Sequence, residues 1–220
     1  MPLDYPVLLL PATLLLALFL LLVLWVQLPR LRASTRRRRI ERVVRRLGGE
    51  YLRDVMLPDP VDGHLQIDYL VLAPRSLLVL DVRPYEGAIF AGASLDAWTQ
   101  MIGRRSFKFA NPLADVRLRC AALAPYAQAI PVEGRVVFTR EAWFPKGVPE
   151  GVSRLDELVQ DIGTTPGEGE PGPKLREAWT RIKAAVQPAV LPAPRYPRRT
   201  SYALLVALLG LLLVSARLVV

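Results

Sequence analysis

The sequence predicts an α/β or α+β sandwich with a mixed sheet, set between two apolar helices, and three observations lead there. The first is where the apolar residues fall. Of the 220 residues 52% are hydrophobic, but the excess sits in residues 7–28 and 202–220, so the middle has the composition of an ordinary globular domain. The second is a pair of β-rich runs, 65–73 and 77–83, separated only by Pro74-Arg75-Ser76, as a hairpin requires. The third is the alternation of helix and strand patterns around that pair, which calls for helices packed on a sheet.

Residues 7–28 carry no charge. Even starting at Pro11, roughly 18 residues at about 1.5 Å each almost cross a hydrocarbon core. A cleaved signal peptide fits less well, because residues 1–6 hold Asp4 and no Lys or Arg and the run exceeds a usual h-region. The reading is an uncleaved N-terminal anchor over 1–28, and a second span over 201–220, apolar except for Arg217 near its end. Arg30, Arg32, Arg36 to Arg39, Arg42, Arg45 and Arg46 follow the first span, and Arg195, Arg198 and Arg199 precede the second. Positive flanks stay on the cytoplasmic side, which places the central domain in the cytoplasm, both termini outside, and Trp25 and Tyr202 at the interface.

Net charge is +9, yet its distribution argues against a nucleic-acid stripe. Residues 29–46 carry +8 and 195–199 carry +3, while 47–194 sum to −2. The Arg run is a topology signal and a contact for anionic lipid. Cys120 is the only cysteine and His64 the only histidine, which excludes an internal disulfide, a CxxC redox pair, Cys-rich zinc sites and multi-histidine metal chemistry. His64, in Val61-Asp62-Gly63-His64, reads as a solvated loop residue.

After a basic juxtamembrane segment, 29–39, the pattern Ile40, Val43, Val44, Leu47 marks one helical face, and Gly48-Gly49 stops it. Strands are expected at 51–57, in the hairpin at 65–73 and 77–83, at 88–90 and at 135–139. Helices are expected over 111–129, where Pro125 should kink or end it, over 154–162, and over 174–186. The core domain is read as 40–163, with 164–200 as linker and helix leading to the second span.

Strand alternation puts Asp68 on the face of Gln66, Leu70 and Leu72. A carboxylate buried there without a partner costs several kcal/mol, so it calls for a cation, a metal or donors. Asp81 and Arg83, two apart, share a face at the end of the neighbouring strand and can meet Asp68 across the hairpin. Two converging carboxylates with a cation can hold Mg²⁺ and support an attacked phosphate. The same spacing equally suits a plain salt bridge between Arg83 and an aspartate.

The order Gln66-Ile67-Asp68, Asp81-Val82-Arg83, Glu86-Gly87, Trp98, Asn111-Pro112, Leu123 and Val136-Val137-Phe138 resembles the nuclease-related domain called NERD, a relative of the PD-(D/E)xK endonucleases. The resemblance covers roughly 40–163. It implies a restriction-endonuclease-like mixed sheet flanked by helices, with Glu41, Asp68 and Asp81 as Mg²⁺ ligands and Asp68, Asp81 and Arg83 as the catalytic set. DNA or RNA is then the substrate, and a catalytically inactive module that binds nucleic acid or a protein partner at the membrane is the alternative. Glu41 also suits a helix-surface pair with Arg45. Trp98 and Asn111 have simpler readings, as core and as helix N-cap. The sequence departs from the family where it counts: Asp81-Val82-Arg83 stands in place of Glu-x-Lys, and Arg cannot serve as a base.

Overall fold

A computed structural model describes residues 5–59, 63–163 and 169–189. Two compact units divide the chain: residues 39–191 form one, and 1–38 with 192–220 the other. The helix α1, Tyr5–Leu47, is continuous, so the apolar run and the Arg run lie on one helix that begins before Pro11. Much of the apolar run's side-chain placement, and all of the expected second span, lie outside the described residues. Among the described residues no helix is long and apolar enough to cross a membrane.

In the unit 39–191 the main sheet has six strands in the order β10-β1-β2-β3-β7-β9. These are β1 (Glu50–Asp59), β2 (Gly63–Leu72), β3 (Leu77–Arg83), β7 (Val132–Phe138), β9 (Val152–Arg154) and β10 (Gln187–Pro188). The β1, β2 and β3 pairings are antiparallel, whereas β7 joins β3, and β9 joins β7, in parallel. This is the expected mixed sheet flanked by helices, an architecture that fits a nuclease-like fold.

Each face of the sheet is apolar and each is covered. On one, Ile40, Val44 and Leu47 of α1 pack on Tyr69, Val71, Leu78 and Leu80, with Leu158 of α3 (Leu158–Ile162). On the other, Leu123 and Ala127 of α2 (Pro112–Ala127) and Leu175, Trp179 and Ile182 of α4 (Pro173–Ala185) cover Leu57, Leu70, Leu72, Leu77 and Val79. The unit therefore extends past residue 163: α4, read from sequence as an appendage, supplies core side chains.

A second sheet, ordered β6-β5-β4-β8, consists of β4 (Gly87–Phe90), β5 (Ala97–Ile102), β6 (Arg105–Ala110) and β8 (Ala142–Trp143). Trp98, Ile89, Phe138 and Leu113 form its core. The expected strand at 88–90 is β4; the β5–β6 hairpin was not anticipated. Nor was β9, where 152–154 pairs with β7 instead of opening a helix, because a free parallel edge beside Val136 and Val137 offers ladder bonds that local helix preference cannot match. Pro125 lies in the last turn of α2, which ends two residues later at Ala127, as a proline that removes a helix donor should cause.

Candidate functional site

The β2–β3 ladder runs from Leu72↔Leu77 to Tyr69↔Leu80 and stops. Both strands continue, but with other partners: β2 stays with β1 as far as Gly63, and β3 stays with β7 as far as Arg83. The hairpin thus splays open at the next pair, which is Asp68 and Asp81. Val82 is left there without its β2 carbonyl, and the Asp68 side chain replaces it: Val82 N donates to Asp68 Oδ2 at 2.9 Å.

Alternation also fails at Asp68. Ile67 packs in the same cluster as Leu70 and Leu72, so the strand turns over by one residue at 68–69. The cause lies on β1, where Asp54 stands opposite Asp68, between Arg53↔Tyr69 and Val55↔Ile67, with φ at +50°. A non-glycine residue in that region distorts its strand and marks local strain. Gln66, expected on the Asp68 face, is exposed, and it contributes its carbonyl to the site.

Asp81 is 5% exposed and its Oδ2 is heavily used. Arg83 donates to it from Nη2 at 2.7 Å and Nε at 3.1 Å, and Arg119 Nη1 lies 3.5 Å away. Arg119, on α2, is anchored by Nε donating to Gln66 O at 2.6 Å. Asp115, one turn earlier on α2, lies 3.7 Å from Arg83 Nη2. From the sequence, Asp115 and Arg119 stand out only as helix positions where the resembled family tends to have Gln and His, and neither was assigned to the site. Their i, i+4 spacing on one helix face was the available signal, since α2 packs against β3 and β7.

Electrostatics follow from this packing. Burial raises the Asp68 pKa, and the nearby Asp81 charge adds to it, against the Val82 hydrogen bond and the charges of Arg119 and Arg83. Burial opposes the Arg83 charge, but the hydrogen bond and charge of Asp81 outweigh it, and the net direction is upward. Arg83 is thus a fixed cation. Cys120, also on α2, is no nucleophile: burial pushes its thiol up to about 11.

The structure brings together Asp68, Asp81 and Arg83, and it does not bring Glu41 to them. Glu41 Oε1 accepts from Arg53 Nη1 at 2.6 Å. Arg53 stands opposite Tyr69, which packs in the α1 cluster on the other side of the sheet from α2. His64 is the second residue of β2 and is exposed, where the sequence suggested a loop. Trp98 is core, with Nε1 donating to Gly92 O at 2.9 Å, and Asn111 caps α2, accepting from Leu113 N at 3.0 Å.

Residues 33–139 match the family model described as nuclease-related domain, NERD. This segment is a nuclease-related domain. The match ends just after β7, short of β8, β9, α3 and α4, and no curated protein and no solved structure matches the chain. The resemblance to metal-dependent endonucleases raises the question of whether these donors suit a metal ion. Among the described residues no group of three His, Cys, Asp or Glu is arranged to hold an ion. Asp81 Oδ2 is taken by guanidinium, Asp68 Oδ2 by a backbone N–H and Glu41 Oε1 by Arg53, which removes one oxygen of each carboxylate from the donor set. As arranged, these residues do not fit Mg²⁺, and no chemical step is derived through it.

Proposed function

We propose that this protein is a membrane-tethered, nuclease-derived module that binds and does not cut. The observation that carries this reading is the double hydrogen bond from Arg83 to Asp81, reinforced by Arg119. With Oδ2 committed to two guanidinium groups, Asp81 offers a divalent ion that takes several oxygen ligands at most its other oxygen, beside two competing cations. Arg83 stays protonated and cannot accept a proton from water. What remains is an ion-pair cluster with one carboxylate in excess, Asp68, Asp81 and Asp115 against Arg83 and Arg119, which holds the splayed strands and α2 together.

Nucleic acid is the ligand class that the family implies, and a protein partner is the rival. The tether rests on the apolar run and the Arg run of α1, where Leu18, Leu21 and Trp25 are exposed, with the domain on the cytoplasmic side. A Mg²⁺-dependent hydrolase is the second reading, favoured by one feature: Asp68 and Asp81 still face each other at the mouth of the splay.

The test uses the full chain in detergent with labelled DNA or RNA and Mg²⁺ or Mn²⁺. The expected result is salt-dependent retention of intact nucleic acid, with no cleavage by wild type or by Arg83→Lys, since Arg119 still contacts Asp81 and Glu41 is paired with Arg53. Cleavage that disappears in Asp68→Ala would overturn the proposal.

A further inference from the structure

The β5–β6 hairpin has no part in the ion-pair cluster, yet its surface is unusual for a domain of this charge. Its turn is the two-residue Gly103-Arg104, closed by Ile102↔Arg105, with Gly103 at φ +58°, a sign of φ that glycine adopts without strain. Beyond the core contacts of Trp98 and Phe109, both of its faces are open. Met101, Ile102 and Phe107 are 38%, 37% and 47% exposed. Across the sheet Ala88 pairs with both Met101 and Trp143, so Met101 and Trp143, the latter 56% exposed, flank Ala88 on one face. Lys108 shares that face, whereas Ile102, Phe107 and Arg105 lie on the other, and the two faces meet at the turn residue Arg104. Residues 97–110 contain no acid, although 47–194 as a whole sum to −2.

We propose that the tip of the β5–β6 hairpin, with Trp143 beside it, is a docking surface for an anionic lipid leaflet. Two features select this partner. Charge is complementary, because the three cations of an acid-free hairpin meet lipid phosphate and carboxylate groups. The apolar side chains are also the interfacial kind: Trp and Phe are favoured at the headgroup level, and Met and Ile enter the acyl boundary. Single-stranded nucleic acid would want flat aromatic faces at each step, which Met101 and Ile102 do not have. Arg and Lys can lay their stems along the apolar tip while their charged ends reach the phosphates. The inference rests on the membrane part of the proposed function and is independent of whether the ion-pair cluster is silent.

The experiment uses the full chain with Cys120→Ser and a polarity-sensitive fluorophore on Ser106→Cys, in phosphatidylcholine nanodiscs with or without phosphatidylserine. Ala129→Cys, in the turn after α2, is the control position. The expected result is a blue shift at position 106 only with phosphatidylserine, reduced roughly tenfold or more in lipid affinity by Arg104→Glu/Arg105→Glu/Lys108→Glu, weakened by Phe107→Ser, and no shift at position 129. No shift at 106 with phosphatidylserine, an equal shift without it, a shift untouched by the triple substitution, or a shift produced by single-stranded DNA without lipid would overturn the proposal. Release of the chain from discs at high salt would count against the terminal tether instead, and the signal at 106 is then read on added vesicles of the same two compositions.

Discussion

Asp68 is the residue on which the site turns, since it closes the splayed ladder through Val82 N while burial raises its pKa. Its stabilising contribution is fully present below the unfolded-state pKa of about 3.9 and is lost as pH rises through the higher folded value. Asp68→Asn keeps an acceptor for Val82 and removes the buried charge. We expect a melting temperature a few degrees above wild type at pH 7, with the gap closing below about pH 4, as thermal melts across pH would record. Glu41 gives the opposite kind of prediction. Its partner is Arg53, so Glu41→Ala should lower stability by about 1 kcal/mol in denaturant titrations and leave nucleic-acid binding unchanged. Asp68, Asp81 and Arg83 were legible because a short hairpin connection fixes the register that sets residue 68 opposite residue 81. Glu41 was not, because its contact spans a helix and a strand and an Arg-rich helix offers nearer partners on paper. The overturned alternation at 67–70 was also hidden, since it depends on the positive φ of Asp54 in a neighbouring strand.

At the scale of elements, the β2–β3 hairpin and α2 were readable from local signals: two β-rich runs with a proline turn between them, and Asn111-Pro112 opening a helix. The β5–β6 hairpin carried a signal as well, two runs separated by Gly103-Arg104, but its polar and aromatic mix has no continuous apolar face. Its anchor is Trp98, fully buried and stacked near Phe138 with ring centroids 6.2 Å apart. Trp98→Ala should cost about 3–5 kcal/mol. Loss of hydrogen-exchange protection should appear first across 97–110, ahead of β2 and β3, because Trp98 is the largest buried side chain in the core of the second sheet while the main sheet is covered on both faces.

For the whole molecule, the sequence's domain limit at 163 divides a core that the fold keeps together. The Gly- and Pro-rich segment before α4 looks like a linker, and composition alone cannot show that the helix after it folds back. Trp179 is 2% exposed, and its Nε1 donates to Glu50 Oε2 at 2.7 Å, tying α4 to the start of β1. Trp179→Ala should therefore lower unfolding free energy by about 3–5 kcal/mol, read by denaturant titration. A chain ending at residue 163 should expose the apolar face over Leu57, Leu70 and Val79 and precipitate. A soluble, cooperatively folding product of that truncation would show α4 to be dispensable.

We propose that the strand carboxylates Asp68 and Asp81 are not free to bind an ion, and Mn²⁺ binding tests that claim most directly. Titrating the full chain with Mn²⁺ by electron paramagnetic resonance should leave the free-ion signal undiminished at micromolar protein, in wild type and in Arg83→Lys alike. Stoichiometric loss of that signal in wild type, restored by Asp68→Asn or Asp81→Asn, would contradict the account.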